Sequence, residues 1–274
     1  MKLFLFILCS LFGWQLTSEQ KIAEDCLSYL TKPHEHQDTG KHLTTNAALF
    51  FCHKPYVGGT LEINDEEALV VNLNAFDCTT LVETCLAMSV CTQHKQTDFD
   101  SYKNILQKIR YRNGEIEGYL SRLHYASDWI FENERSGFIQ DITKDIGGKK
   151  RKLHINYMSS HSSAYKQLKE NPANIQEIQK IESAINTREH YYIPKEEILS
   201  CENMIQDGDI IFFATSIAGL DFTHTGIAHW KDGDLTFIHA SSQAKQVIVN
   251  PQPLRTYCAN QKRNIGIVVC RCVL

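Results

Sequence analysis

The chain of 274 residues is 43% hydrophobic and 22% charged, globular proportions that exclude disordered, collagenous and low-complexity classes. Its 28 Lys and Arg against 32 Asp and Glu leave a net charge of −4. No overall positive field exists to hold a polyanion, so nucleic acid is not expected as a partner.

Residues 1–18, MKLFLFILCSLFGWQLTS, place Lys2 before an apolar run from Leu3 to Trp14. That run is too short to cross ~30 Å of hydrocarbon as a helix. It reads as a secretory signal peptide cleaved near Ser18, which implies an exported protein, periplasmic or extracellular, with no stable membrane insertion. Leu8, before Cys9, is not the small residue that lipidation prefers. Nine cysteines then remain, and an odd count in an oxidising compartment flags one free reactive thiol. From about Lys21 to Phe51 apolar residues recur at helical spacing. A turn follows at 55–60 (PYVGGT), then a short apolar run at 68–73 and the segment 75–90. Residues 97–200 are polar and read as largely helical, with the basic run 148–152 (GKKRK) as a solvated loop. The end of the chain changes character: 210–214, 224–230, 235–240, 246–249 and 265–273 are short β runs separated by turn residues. The expected fold class is α+β, one domain over 19–274 with helices first and an antiparallel sheet last.

Two stretches carry candidate chemistry. Asp77 is a good N-cap, and Leu81, Val82, Cys85 and Leu86 form an apolar stripe behind it, so Cys78 falls at the first position of a helix. There the helix dipole and free backbone N–H groups favour thiolate and can serve an oxyanion. The Asp77 charge opposes that, so an imidazolium is needed nearby. Asp232-Gly233 is a strong two-residue hairpin turn. With those two residues as the loop, Trp230 faces Leu235 and Gly226 faces His239. His224 is then a diagonal neighbour of His239 on one face, and His229 points to the other. A thiol, a base (His224) and a group that orients the base (His239) make an acyl-transfer engine.

Phe76-Asp77-Cys78-Thr79-Thr80-Leu81-Val82-Glu83 resembles the Asp-Cys-Ser/Thr helix start of NlpC-type, papain-like peptidoglycan cysteine peptidases. Phe222-Thr223-His224-Thr225-Gly226-Ile227 resembles their His-Val-Gly-Ile strand, and His239-Ala240-Ser241-Ser242 the next strand with the third catalytic polar residue. Pro55-Tyr56-Val57-Gly58-Gly59 resembles the Tyr turn that sets a hydroxyl beside the Cys. The segments 109–114 (IRYRNG), 121–125 (SRLHY), 127–130 (SDWI) and 219–221 (GLD) are similar to the N-acetylmuramoyl-L-alanine amidase-like branch of exported bacterial enzymes. The likeness runs from about Phe50 to Arg271. It implies a papain-like fold in which 97–200 is a helical insertion between Cys and His that walls the cleft. It also implies cleavage of the amide between the lactyl group of N-acetylmuramic acid and L-alanine. Peptidoglycan or a muropeptide is the expected substrate, with no cofactor or metal and a monomeric state. Arg112 and Arg122 are candidate partners for substrate carboxylates, and Tyr56, Asp77, His124, Tyr125, Asp221 and Ser241 are further binding candidates.

The same engine fits an endopeptidase that cuts between D-Glu and the diamino acid, and a non-catalytic cell-wall binder keeps the fold without turnover. A zinc amidase lacks its motif: no His-Glu-x-x-His or Cys-x-x-Cys occurs, and His34-Glu35-His36 reads as a solvated loop.

Overall fold

A computed structural model describes residues 16–32 and 42–273. The proposed signal segment up to residue 15, Cys9 and His34-Glu35-His36 lie outside the described residues. Among those described, no helix is long and apolar enough to cross a membrane.

Five helices come first: α1 (Ser18–Thr31), α2 (Leu43–Phe50), α3 (Cys78–Gln93), α4 (Phe99–Arg110) and α5 (Ala126–Arg135). Two short strands follow, β1 (Ile139–Asp141) and β2 (Lys149–Arg151), then the single turn α6 (Tyr157–Ser160) and α7 (Pro172–Thr187). The chain continues through β3 (His190–Pro194), α8 (Ile198–Cys201), β4 (Ile210–Thr215), β5 (Phe222–Lys231), β6 (Asp234–Ser241) and β7 (Gln246–Val249). It ends with α9 (Leu254–Asn260) and β8 (Asn264–Cys272). The strands form one antiparallel sheet in the order β2-β3-β8-β4-β5-β6-β7, and β1 also pairs with β8. The α+β expectation holds. The segment 97–200 is less helical than its polar text suggests, because β1, β2 and β3 extend the sheet beyond β8. The basic run at 148–152 is correspondingly an edge strand rather than a loop. Lys149 and Lys150 pair with Glu197 and Glu189, and Arg151 donates to the Thr215 and Asp221 carbonyls.

Alternation along the strands divides the core. Ile210, Phe212, Ile227 and Ile238 pack with α1–α4 on one face, and Ile211, Phe213, Ala228 and Phe237 pack with Leu254 and Cys258 of α9 on the other. A third, smaller core joins Tyr119 and Tyr125 to Leu153, Met158 and α7. The stripe expected on α3 proves too narrow a description. Residues 80–91 are all buried, because the helix is packed between α1, α2, α4 and the sheet.

Burying α3 all round also buries Glu83, and Arg110 of α4 answers it. Arg110 Nε lies 2.7 Å from Glu83 Oε2, and Nη1 donates to the Val70 carbonyl at 2.6 Å. One guanidinium thus ties α3, α4 and the 68–73 run together. Removing one partner strands a charge in the core, whereas removing both does not. Glu83→Met and Arg110→Met are each expected to lose about 3–5 kcal/mol of stability, with the double variant far less destabilised than their sum. Urea denaturation of the four proteins measures this coupling.

Candidate active site

Asp77 begins the helix as expected. Its carboxylate accepts from the Thr80 N–H at 2.8 Å, and Thr80 Oγ1 accepts in return from the Asp77 N–H at 3.0 Å, a closed capping box. Cys78 is the first helical residue and is half-buried. The segment before it is pinned at both ends. Tyr56 N–H donates to the Lys245 carbonyl, Val57 N–H to that of Phe76, and Phe76 N–H to that of Pro55. Tyr56 is thereby held beside Cys78 and Asp77, and burial, reinforced by the charge either side chain carries when ionised, pushes its hydroxyl pKa up.

The hairpin has the register that its turn dictates. Asp232 and Gly233 both have positive φ (53° and 88°), the signature of a type I′ turn, and Ile227, Ala228 and Trp230 face Ile238, Phe237 and Leu235. His224 Nε2 lies 2.6 Å from His239 Nδ1. Both rings stand on the sheet face of Phe213 and Phe237, with Phe213 5.4 Å from His224 and Phe237 4.6 Å from His239, centroid to centroid. His229 faces the other way in the sense that matters here, since it pairs with Asp207 instead. Strand β4 pairs Phe213 with His224 and Ala214 with Phe222, so Thr223 is an extra, bulged residue. A bulge bends the strand and re-aims the next side chain, here His224. The helix that carries Cys78 packs on the opposite face of the sheet, and the two residues come together at this bulged start of β5. Cys78, Thr223, His224 and Thr225 line one cavity of about 160 Å³ with Glu83, His124, Trp129 and Asp221.

The electrostatics differ from the sequence expectation at one point. The helix start does not deliver a thiolate: burial and the Asp77 charge push the Cys78 thiol up to about 11, against the opposing pull of backbone groups of Thr225 and Thr79 and the Thr79 hydroxyl. Burial holds His224 down to about 4, and burial with the His224 charge holds His239 down to about 3. The resting site is a neutral thiol beside two neutral imidazoles, because the apolar walls disfavour every charged form.

The remaining candidates separate into two groups. Tyr56, Asp77, His124, Asp221 and Ser241 stand at or beside the cleft. His124 lines the small cavity with Nε2 2.8 Å from the Tyr119 carbonyl, and burial holds it neutral to about pH 3. Asp221 accepts from Ser127 N–H and Oγ, both at 2.8 Å, and locks α5 to the start of β5. Ser241 accepts from the Ala244 N–H and lines a second cavity on the far side of His224. Arg112, Arg122 and Tyr125 are elsewhere. Arg112 pairs with Asp128 and Glu132, and Arg122 with Glu62 and Glu67, so their forks already hold carboxylates of this chain. Tyr125 donates to Glu182 and accepts from the Met158 N–H within the third core. These three shape the walls rather than face the cavity. Sequence reasoning missed Phe213, Phe237 and Tyr257, which wall in the imidazole pair. Phe237 was accessible, being two residues before His239 on the same face. Tyr257, 6.0 Å from the His239 ring, comes from α9 and carries no sequence signal. Among the described residues all nine cysteines are free, and no group of three or more His, Cys, Asp or Glu is arranged to hold a metal ion.

The hairpin needs a glycine at 226. A Cβ there would stand 2.8 Å from the Phe237 ring, 2.9 Å from the Ile238 carbonyl and 3.3 Å from His239 Cβ. Gly226→Ala is expected to cost about 1–3 kcal/mol by overpacking. It should also shift the imidazole nitrogen resonances of His224 and His239, which ¹⁵N NMR reads directly.

The arrangement has relatives. An N-acetylmuramoyl-L-alanine amidase from Bacteroides uniformis ATCC 8492 is 38% identical, with a TM-score of 0.80 over 93% of this chain and 100% of that one. A Bacteroides fragilis protein provisionally named as a xylanase is 41% identical, with a TM-score of 0.78 over 82% of this chain and 98% of that one. A Legionella pneumophila protein at 21% identity shares the fold, with a TM-score of 0.67 over 94% of each chain. No curated protein matches. The family model described as N-acetylmuramoyl-L-alanine amidase-like matches residues 46–267, which spans the pinned Tyr56 turn, the Cys78 helix and both histidine strands, and the chain belongs to that family.

Proposed function

We propose that the protein is an exported cysteine amidase of peptidoglycan fragments with a papain-like fold, cleaving the bond between the muramoyl lactyl carbonyl and L-alanine. The observation that carries the cysteine mechanism is the 2.6 Å His224 Nε2···His239 Nδ1 contact at a cavity that Cys78 shares. With Nε2 committed to His239, Nδ1 of His224 is left to take the thiol proton. Family membership supports the amide as the scissile bond, and the basic-then-apolar run of residues 1–18 supports export.

In the reaction Cys78 Sγ attacks the lactyl carbonyl as its proton moves to His224, and the His239 ring stabilises the imidazolium that forms. N–H groups at the start of α3 face the oxyanion. The C–N bond then breaks, the departing L-Ala nitrogen takes the proton from His224, and a thioester remains. Water attacks the thioester and gives its proton to His224. The C–S bond breaks, the thiolate recovers that proton, and the free lactyl carboxylic acid leaves and gives its own proton to solvent.

Cys78→Ala and His224→Ala should abolish turnover, and His239→Ala should lower kcat by about 10²–10⁴-fold. His239→Asn is expected to recover part of that loss by restoring a hydrogen-bond partner for Nε2. Mass spectrometry of purified muropeptides checks this. Release of the whole stem peptide supports the amidase, and a dipeptide left on the sugar identifies the endopeptidase. The pH profile supplies a second check. A depressed imidazole stays a free base until the pH falls to its own lowered pKa, so the acid limb of kcat/KM should have its midpoint near 4 instead of 6.5. A limb at 6.5, after control for acid inactivation, refutes the buried neutral base.

A further inference from the structure

We infer that the departing, peptide half of the substrate docks in the second cavity, with Arg263 reading a stem carboxylate, while only the lactyl end of the acyl half enters the smaller cavity at Cys78. This deepens the proposed function and rests on it.

The two cavities, about 710 and 160 Å³, meet at Thr223 and His224. Cys78 lines only the smaller and His239 only the larger. Acyl transfer imposes a direction on such a pair. The acyl carbon must sit on the sulfur, and the leaving nitrogen must sit on the imidazole that protonates it. A substrate followed from Cys78 across His224 therefore passes from acyl group to amine, and the amine half continues into the larger space.

Charge divides the cavities in the same sense. The wall of the smaller includes the Asp221 carboxylate and that of Glu83, which Arg110 behind it neutralises, and neither Lys nor Arg. The wall of the larger includes Arg263 and neither Asp nor Glu. Arg263 is exposed, and its guanidinium makes no ion pair among the described residues, while its carbonyl is fixed by the Ser216 N–H and the Thr215 hydroxyl. The same cavity is lined by Ser241, Ser242, Gln243 and Gln261, donors and acceptors suited to peptide amides. The larger volume also falls in the ~300–1,000 Å³ range of small-molecule sites, and the smaller falls below it. An anionic chain of amides is the ligand this wall suits, and the carboxylate-lined cavity disfavours it.

The test uses Cys78→Ala protein and titration calorimetry with two probes: the free tripeptide L-Ala–γ-D-Glu–L-Lys and the disaccharide N-acetylglucosaminyl-N-acetylmuramic acid. Arg263→Ala in that background should weaken the tripeptide about tenfold, as expected for loss of a charge-assisted hydrogen bond, and Arg263→Lys should restore part of it. Disaccharide binding should not change. The inference is overturned if the tripeptide does not bind, if Arg263→Ala leaves its affinity unaltered, or if the disaccharide is the ligand weakened. Tripeptide binding that depends on Arg263, in a protein whose wild type releases no stem peptide, upholds the subsite and refutes the amidase reading alone.

Discussion

The register of one hairpin governs the site. Positive φ at both Asp232 and Gly233 selects a two-residue turn whose twist matches that of the flanking strands, and this leaves one pairing between β5 and β6. Side chains alternate with a period of two, so a slip of a single residue would send one imidazole to the helix-packed face and leave the other alone. The 2.6 Å contact between His224 and His239 is a consequence of that turn, made eight residues before it and six after it. Gly226 completes the geometry by leaving room beside His239.

Burial gives the site its electrostatic character. The apolar wall of Phe213, Phe237 and Tyr257 on one side and the all-round packing of α3 on the other remove the water that would stabilise ions. A helix N-terminus favours thiolate by up to ~2 kcal/mol in favourable geometries, and desolvation together with the Asp77 charge outweighs it here. In the proposed mechanism such a site holds its proton on sulfur until substrate arrives and relies on a neutral base to remove it. The same packing explains why Glu83 has Arg110, since a lone carboxylate at that depth would not remain charged.

The arginines illustrate how local sequence and tertiary placement diverge. Arg112 and Arg122 lie in segments similar to the amidase-like branch, and a guanidinium near an anionic substrate is a natural expectation. Each instead closes a carboxylate cluster, Arg112 with Asp128 and Glu132, and Arg122 with Glu62 and Glu67. They brace α5 and the 60–67 loop that flank the cleft. Arg263, which lies outside every sequence motif, is the cation on the wall of the larger cavity.

Local rules were sufficient wherever the deciding interaction lies within a few residues in the chain. The Asp77 cap, the start of α3 at Cys78, the Asp232-Gly233 turn and the five late strands were legible because N–H capping, positive φ and two-residue alternation are short-range constraints. Strands β1, β2 and β3 were not, since three to five residues without clear alternation become a strand only when a neighbour such as β8 supplies partners for their backbone groups. Nor could sequence set the thiol and imidazole charges, the partner of each arginine or the division of the cleft at Thr223 and His224. Those depend on which distant surfaces exclude water and which charges end up adjacent, and only the packed chain determines that.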